Sequence, residues 1–288
     1  MSLAPRSLGE HVALAQTILE AAGLGSVEAR RDASLLARAA LGWDAARWLA
    51  HHSDPAPAGF GEMFDRSITR RALREPIAYI VGEREFYGRV FSVSPAVLIP
   101  RPETELLVEE SLWAARSDGD RGITLVDVGT GSGCVAVTLA IELPRAAVIA
   151  TDVSADALHV ARGNAERYHV ADRIRFVHAP FLPASADPID LVVSNPPYVP
   201  DRDTSSLMPE VARHEPALAL FGGPDGLDVI RELLPAAAAQ LRTGGHLVME
   251  IGDGQSDEVQ ILAKSAGLGV LRISTDLQNI PRVLVAHR

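Results

Sequence analysis

The sequence predicts an α/β protein whose core is a doubly wound, mainly parallel sheet, joined to a small N-terminal helical domain by a linking hairpin. Three observations predict it. From residue 124 onward, short apolar runs alternate with segments of helical period. The first of these runs enters a glycine turn, Gly129-Thr130-Gly131-Ser132-Gly133, followed by apolar positions at helical spacing. A later run, Ile189 to Ser194, stops at Asn195-Pro196-Pro197-Tyr198. The spacing predicts strand 124–128, helix 133–141, strand 147–151, helix 154–168, and strands 173–177 and 189–194. A helix near 226–241, strand 246–251, helix 255–266 and end strands near 269–274 and 282–287 complete the series. Such βαβ alternation places helices on both faces of the sheet and a ligand crevice at the carboxyl ends of its strands.

Ahead of the sheet, residues 1–82 read as a helical domain. Leu14, Ile18 and Leu19, then Leu35, Leu36, Ala39 and Ala40, recur at three- and four-residue spacing, with Gly23, Gly25 and Gly42 as punctuation. Asp54-Pro55-Ala56-Pro57 marks a loop, and Phe64, Ile68 and Leu73 predict a further helix ended by Pro76. This domain is either a cap on the larger one or a docking module for a partner, and nothing local separates the two. Residues 83–288 form the second domain. It opens on a hairpin suggested by the alternation in Arg89 to Val93, then a helix from Glu103 to Trp113 with acidic residues in its first turn, where the helix dipole favours them.

Composition narrows the function classes. With 288 residues and 47% hydrophobic content the chain can fill a full core. Its single cysteine, Cys134, excludes an intramolecular disulfide and predicts a cytoplasmic setting, with the thiol as a small packing residue. The N-terminal segment has no basic stretch followed by an apolar run, and no stretch approaches the ~18–20 continuous apolar residues of a membrane span, so neither leader nor membrane anchor is expected. The nine histidines lack paired ligand spacing, so no metal is expected. Net charge is −10; residues 1–80 hold nine Arg against nine Asp or Glu, so the excess of acid lies entirely in the remainder. An acidic catalytic half argues against direct binding of nucleic acid.

The two strand-end motifs carry the chemistry. Consecutive prolines cannot continue a sheet, so the chain leaves it rigidly at Pro196-Pro197, displaying the Asn195 amide, the prolyl carbonyls and the Tyr198 ring. Those groups suit a planar NH2 that must give up hydrogen bonds while its nitrogen attacks. Taken alone, the motif is equally a stiff strand-end turn. The glycine turn adds a nucleoside site: glycines let backbone approach a ligand, and Asp152, about 20 residues on at the end of the next strand, is placed to accept hydrogen bonds from ribose hydroxyls. Cys134 stands where the dinucleotide fingerprint has its third glycine. The actual form, Asp127-x-Gly129-x-Gly131-x-Gly133, resembles the first motif of S-adenosylmethionine (SAM)-dependent methyltransferases.

From about Arg74 to the C-terminus, and with a similar helical N-terminal domain, the chain resembles the HemK/PrmC family, the protein-(glutamine-N5) methyltransferases of peptide chain release factors. The resemblance rests on Pro76-Ile77-Ala78-Tyr79-Ile80, Glu85-Phe86-Tyr87-Gly88 and Leu98-Ile99-Pro100-Arg101-Pro102-Glu103-Thr104-Glu105. It extends to the glycine turn, Ser194 to Tyr198, Glu215-Pro216, Gly222 to Leu227, Glu250-Ile251-Gly252 and Pro281-Arg282-Val283. Asn-Pro-Pro-Tyr is shared with methyltransferases of nucleic-acid amines; the stretch around Pro100 to Glu105 is far more specific. In a sister family that modifies a ribosomal protein, this stretch reads differently. Ala179-Pro180 departs from the usual acidic residue and Leu or Trp after the third strand, and His214 from the usual aromatic.

The resemblance implies a Rossmann-like sheet and a cytoplasmic, monomeric enzyme that methylates the glutamine of a Gly-Gly-Gln motif. Alternatives are a ribosomal-protein glutamine, an exocyclic amine of nucleic acid, or a SAM-binding regulator without turnover. The expected SAM contacts are Gly129, Thr130, Gly131, Ser132, Gly133, Asp152, Pro180 and Asn195. Asn195, Pro196 and Tyr198 are the expected catalytic residues, with Pro197 and Phe86 (or Tyr87) completing the acceptor site. Arg101 and Glu103 stand equally as a structural ion pair or as substrate contacts.

Overall fold

The computed structural model describes residues 6–116, 122–182 and 188–288; the first five residues of the expected helical domain lie outside them. The chain divides into two compact units, 1–82 with 208–214, and 83–207 with 215–288.

The first unit holds α1 (Leu8–Ala21), α2 (Ser26–Leu41), α3 (Ala45–His51), α4 (Phe60–Ala72) and α5 (Ile77–Val81). A reciprocal capping box starts α1: the Ser7 hydroxyl accepts from the Glu10 N–H while the Glu10 carboxylate accepts from the Ser7 N–H. The buried stripe of α1 is Leu8, Val12, Ala15 and Leu19, which pack with Leu36 of α2 and the stacked rings of Phe60 and Phe64. Leu14 and Ile18, which share the helical spacing, are on the outer side of α1 at 47% and 44% exposure. The last helix of the expected set also differs. It ends at Ala72, Leu73 is exposed, and Pro76 stands at the N-cap of α5, where its fixed φ suits a helix start.

A short helix from the far part of the chain, Pro209–His214, belongs to this first unit. Its Glu210 accepts from Arg71 (2.9 Å) and Arg74 (2.9 Å). Arg71, 3% exposed, also donates to Asp32 (2.8 Å) and Glu28 (2.9 Å). A guanidinium this deep is tolerable only because its donors meet carboxylates in fixed geometry.

In the second unit, β1 (Glu83–Phe86) and β2 (Arg89–Ser92) form the expected hairpin around Tyr87-Gly88, whose positive φ values match the tight two-residue turn. A 3₁₀ turn, Pro102–Thr104, leads into α6 (Glu105–Arg116). Then follow β3 (Thr124–Val128), α7 (Cys134–Glu142), β4 (Ala147–Asp152), α8 (Ala155–Arg167), β5 (Ile174–His178) and β6 (Ile189–Ser194). With Pro209–His214 as α9, the chain ends in α10 (Ala217–Leu220), α11 (Asp228–Gln240), β7 (Leu241–Glu250), α12 (Ser256–Ser265), β8 (Gly269–Thr275) and β9 (Pro281–His287). The β7 strand begins five residues earlier than expected, running through Gly244-Gly245 with a register shift against β6.

The strands order as β5-β4-β3-β6-β7-β9-β8, parallel from β5 to β7 and antiparallel at the β9-β8 edge. Every residue of β6 is buried, as a central strand covered on both faces requires. Alternate side chains go to opposite faces: Leu191 and Val193 join α6, α7 and the hairpin, whereas Val192 joins α11 and α12. From β3 the chain steps outward through β4 and β5, then returns to the other side of β3 as β6. The order therefore reverses between β3 and β6, and a ligand crevice forms at such a reversal.

Arg71→Met should destabilise the protein by about 3–5 kcal/mol, because buried Asp32 would keep only the exposed Arg31 and Glu210 only Arg74 as counter-charge. Equilibrium denaturation measures it, and an unchanged midpoint would contradict the assignment.

Candidate active site

Register brings the two motifs together. Val128, the last residue of β3, pairs with Ser194, the last of β6, so the chains that continue into Gly129 and Asn195 leave the sheet side by side. A Cβ on Gly129 would lie 4.0 Å from the Asn195 carbonyl oxygen. Both residues line one cavity of about 430 Å³, a volume typical of small-molecule sites.

The glycine bend is held from below. The Gly129 and Thr130 N–H groups both donate to the Thr151 carbonyl at 2.9 Å, tying the bend to β4. The Thr130 hydroxyl donates to Asp127 (2.6 Å), and the Gly131 N–H to Asp152 Oδ2 (2.9 Å). Burial pushes the Asp127 carboxyl up to about 7, against the pull of the Thr130 hydroxyl and the Ala136 N–H. Asp152 Oδ1 accepts from the Ser154 N–H at 2.9 Å, so the carboxylate is fixed at the cavity wall with lone pairs left over for a ligand hydroxyl. Burial pushes the Cys134 thiol up to about 12, which keeps it uncharged and unreactive.

Gly129, Thr130, Gly131, Ser132, Asp152, Pro180 and Asn195 of the expected cofactor set line this cavity; Gly133 does not. A Cβ there would lie 2.9 Å from the Ala161 Cβ, and φ is +77°, so Gly133 serves the close approach of α7 to α8. In the acceptor set, Asn195, Pro196 and Pro197 line the cavity, whereas Tyr198 and Phe86 do not. Phe86 is a core residue, 1% exposed and edge-on to Phe91. The neighbouring Tyr87 packs at the border of the same core. The Tyr198 hydroxyl donates to Glu250 Oε1 (3.2 Å), and its carbonyl accepts from Gln255 (3.0 Å). Burial beside the Glu250 charge pushes the phenol well above its usual range.

The corner is braced by residues outside that set. Asn195 Nδ2 donates to Thr104 Oγ1 at 3.2 Å. Arg101 pairs with Glu215 at 2.5 Å, and Glu215 also accepts from the Ile99 N–H (3.2 Å). Glu250, at the end of β7, is 1% exposed; burial pushes its carboxyl up to about 7, opposed by the hydroxyls of Thr104 and Tyr198 and by Arg282. The sequence had Glu250 within the stretch Glu250-Ile251-Gly252 of the family resemblance, ending the apolar run Leu247-Val248-Met249, but gave it no place in the site. Among the described residues there is no cluster of His, Cys, Asp and Glu able to hold a metal ion, and no helix is long and apolar enough to cross a membrane.

A switch-point cavity with a glycine bend, a carboxylate fixed at its wall and an amide-bearing corner fits a Rossmann-like methyltransferase. Residues 104–214 match the Methyltransferase small domain and residues 10–82 the PrmC N-terminal domain. A release factor glutamine methyltransferase of Cereibacter sphaeroides is 42% identical over 96% of this chain and 97% of its own. That of Chlorobaculum tepidum is 45% identical over 83% and 84%. A solved methyltransferase of Pyrococcus furiosus shares the fold, with a TM-score of 0.51 at 19% identity, over 70% of this chain and 90% of its own. The chain belongs to the release factor glutamine methyltransferase family.

Gly133→Ala should cost about 1–3 kcal/mol from strain and crowding against Ala161. Gly131→Ala has φ +54° but open space, so its cost should be smaller in denaturant titrations. Equal losses would contradict the packing role.

Proposed function

We propose that this enzyme transfers the methyl group of SAM to the side-chain amide nitrogen (N5) of the glutamine in the Gly-Gly-Gln motif of a peptide chain release factor. The relatives' names support the acceptor, and one observation carries the chemistry: Gly129 and Asn195 open onto the same cavity from register-paired strand ends.

The residues present fit SAM. The Gly129–Gly131 bend leaves room for close approach of a ligand, and the Asp152 carboxylate stands at the wall to accept from ribose hydroxyls. Ser132 and Pro180 border the same space. When bound there, SAM supplies an electrophilic methyl group. Everything else falls to the chain, because an amide nitrogen is a poor nucleophile whose lone pair is delocalised into its carbonyl. Asn195 Oδ1 and the Pro196 carbonyl accept the two N–H bonds of the glutamine amide and aim the nitrogen at the methyl position. Fixed alignment of this kind is worth up to ~7–11 kcal/mol of barrier. Acceptors on the N–H groups also favour the positive charge that develops on nitrogen as the bond forms, a charge removed when one of the two N–H protons leaves to solvent and gives the neutral N-methyl amide.

The helical unit, with its balanced charge, serves as the docking surface for the release factor. The enzyme acts as a cytoplasmic monomer with no direct nucleic-acid contact.

Asn195→Ala should lower kcat by ~10²–10³-fold with SAM affinity retained. Asp152→Ala should weaken SAM binding by about 1.5–3 kcal/mol, the worth of a charged hydrogen bond. Isothermal titration and steady-state kinetics read both; wild-type turnover in the first variant or unchanged affinity in the second would contradict the assignment. Supplying labelled SAM separately with release factor, ribosomal protein, DNA and RNA, then locating the label by mass spectrometry, tests the substrate class. Label on a release-factor glutamine is the expected result, and label on a base or nowhere overturns it.

A further inference from the structure

Asn195 has to present an oxygen to the acceptor, and an amide turned over would present NH2 instead. What sets that choice is Thr104, on the same cavity wall, together with Glu250, which does not line the cavity. Asn195 Nδ2 donates to Thr104 Oγ1 at 3.2 Å, and Thr104 is 3% exposed. The Thr104 hydroxyl also acts on the Glu250 carboxylate, which is 1% exposed, accepts from Tyr198 through Oε1 and has Oε2 buried without a hydrogen-bond partner.

A hydroxyl has one proton to give. An ionised Glu250 can only accept, and a buried carboxylate short of donors claims that proton. The Thr104 oxygen is then left to accept, and only the NH2 end of Asn195 can serve it. The donors therefore point one way: the Asn195 NH2 gives to Thr104 Oγ1, and the Thr104 proton is drawn toward the donor-poor Glu250 carboxylate.

We infer that Thr104 and Glu250 are positioning residues that set the polarity of the Asn195 amide, holding its NH2 against the protein so that Oδ1 faces the acceptor. The inference rests on the reading of Asn195 as the acceptor of the glutamine N–H. It also gives Tyr198 a role away from the cavity, as the second donor that keeps Glu250 in place. A protonated Glu250 would reverse the relay. Its own proton would go to Thr104, the Thr104 proton to Asn195 Oδ1, and the NH2 would swing toward the substrate's NH2. The groups that face Glu250 and bear on its ionisation are Thr104 and Glu103 of the 3₁₀ turn, Tyr198 after β6, Arg282 of β9 and Cys134 at the start of α7. Of these, Arg282 favours the carboxylate and Glu103 opposes it. Since the carboxyl stands at about 7, methyl transfer should fall as pH drops through neutrality.

The test uses the full-length enzyme with SAM and an intact release factor, measuring kcat, KM and the pH profile, with SAM titration to confirm folding. Thr104→Val should lower kcat about 100-fold, the scale of a misplaced reacting group, with KM and SAM affinity unchanged. Thr104→Ser, which restores the hydroxyl, should recover most of that loss. Glu250→Gln should lower kcat and abolish the acid limb of the profile. Wild-type kcat in Thr104→Val, equal impairment of the Val and Ser variants, or an acid limb that survives Glu250→Gln would each overturn the inference while leaving an inactive Asn195→Ala intact. Full turnover in Asn195→Ala would instead remove the reading on which the inference rests.

Discussion

The pairing of β3 with β6 in one register is the constraint on which the site depends. Val128 opposite Ser194 puts two different strand exits at the same height, at the point where the strand order reverses. One exit is all glycine freedom and the other all proline rigidity. A slip of one residue would turn Asn195 to the other face of the sheet and separate the amide from the bend. The register is held by a central strand that is buried throughout, so the same apolar packing that stabilises the sheet also aligns the glycine bend with the Asn195 corner.

Around that alignment, charge is handled by burial and pairing. Asp127 and Glu250 are both carboxyls near 7, each under a hydroxyl, and neither reaches the solvent. They tie down the bend and the corner respectively, while Asp152, with N–H groups on both oxygens, is left at the cavity wall. Buried carboxyls are expensive unless fixed by partners. Asp127 is bonded to Thr130 of the bend and Glu250 to Tyr198 of the corner.

Much of this was legible in the chain. Buried parallel strands are written as near-continuous apolar runs, so β3, β4 and β6 stood out, and turns at their ends had to face one side of the sheet. What was not legible depended on tertiary neighbours. Gly133 looked like part of the ligand bend until Ala161 was seen against it. Phe86 and Tyr198 looked like exposed aromatics because sequence shows a motif's edge but not its depth. Leu14 and Ile18 had helical spacing yet fell on the outer face, since Leu8, Val12 and Leu19 form the stronger stripe. The return of Pro209–His214 to the helical unit depends on Arg71 and Arg74, more than 130 positions away, and no local pattern announces it. Thr104 and Glu250, far apart in sequence, are brought together only by the fold.

The geometry is tested most directly by a crystal structure of the enzyme with S-adenosylhomocysteine and a Gly-Gly-Gln peptide. The glutamine amide nitrogen should lie within hydrogen-bond reach of Asn195 Oδ1 and the Pro196 carbonyl, and face the cofactor sulfur above the Gly129–Gly131 bend. A glutamine seated elsewhere, or an Asn195 amide presenting its nitrogen to the peptide, would contradict the account.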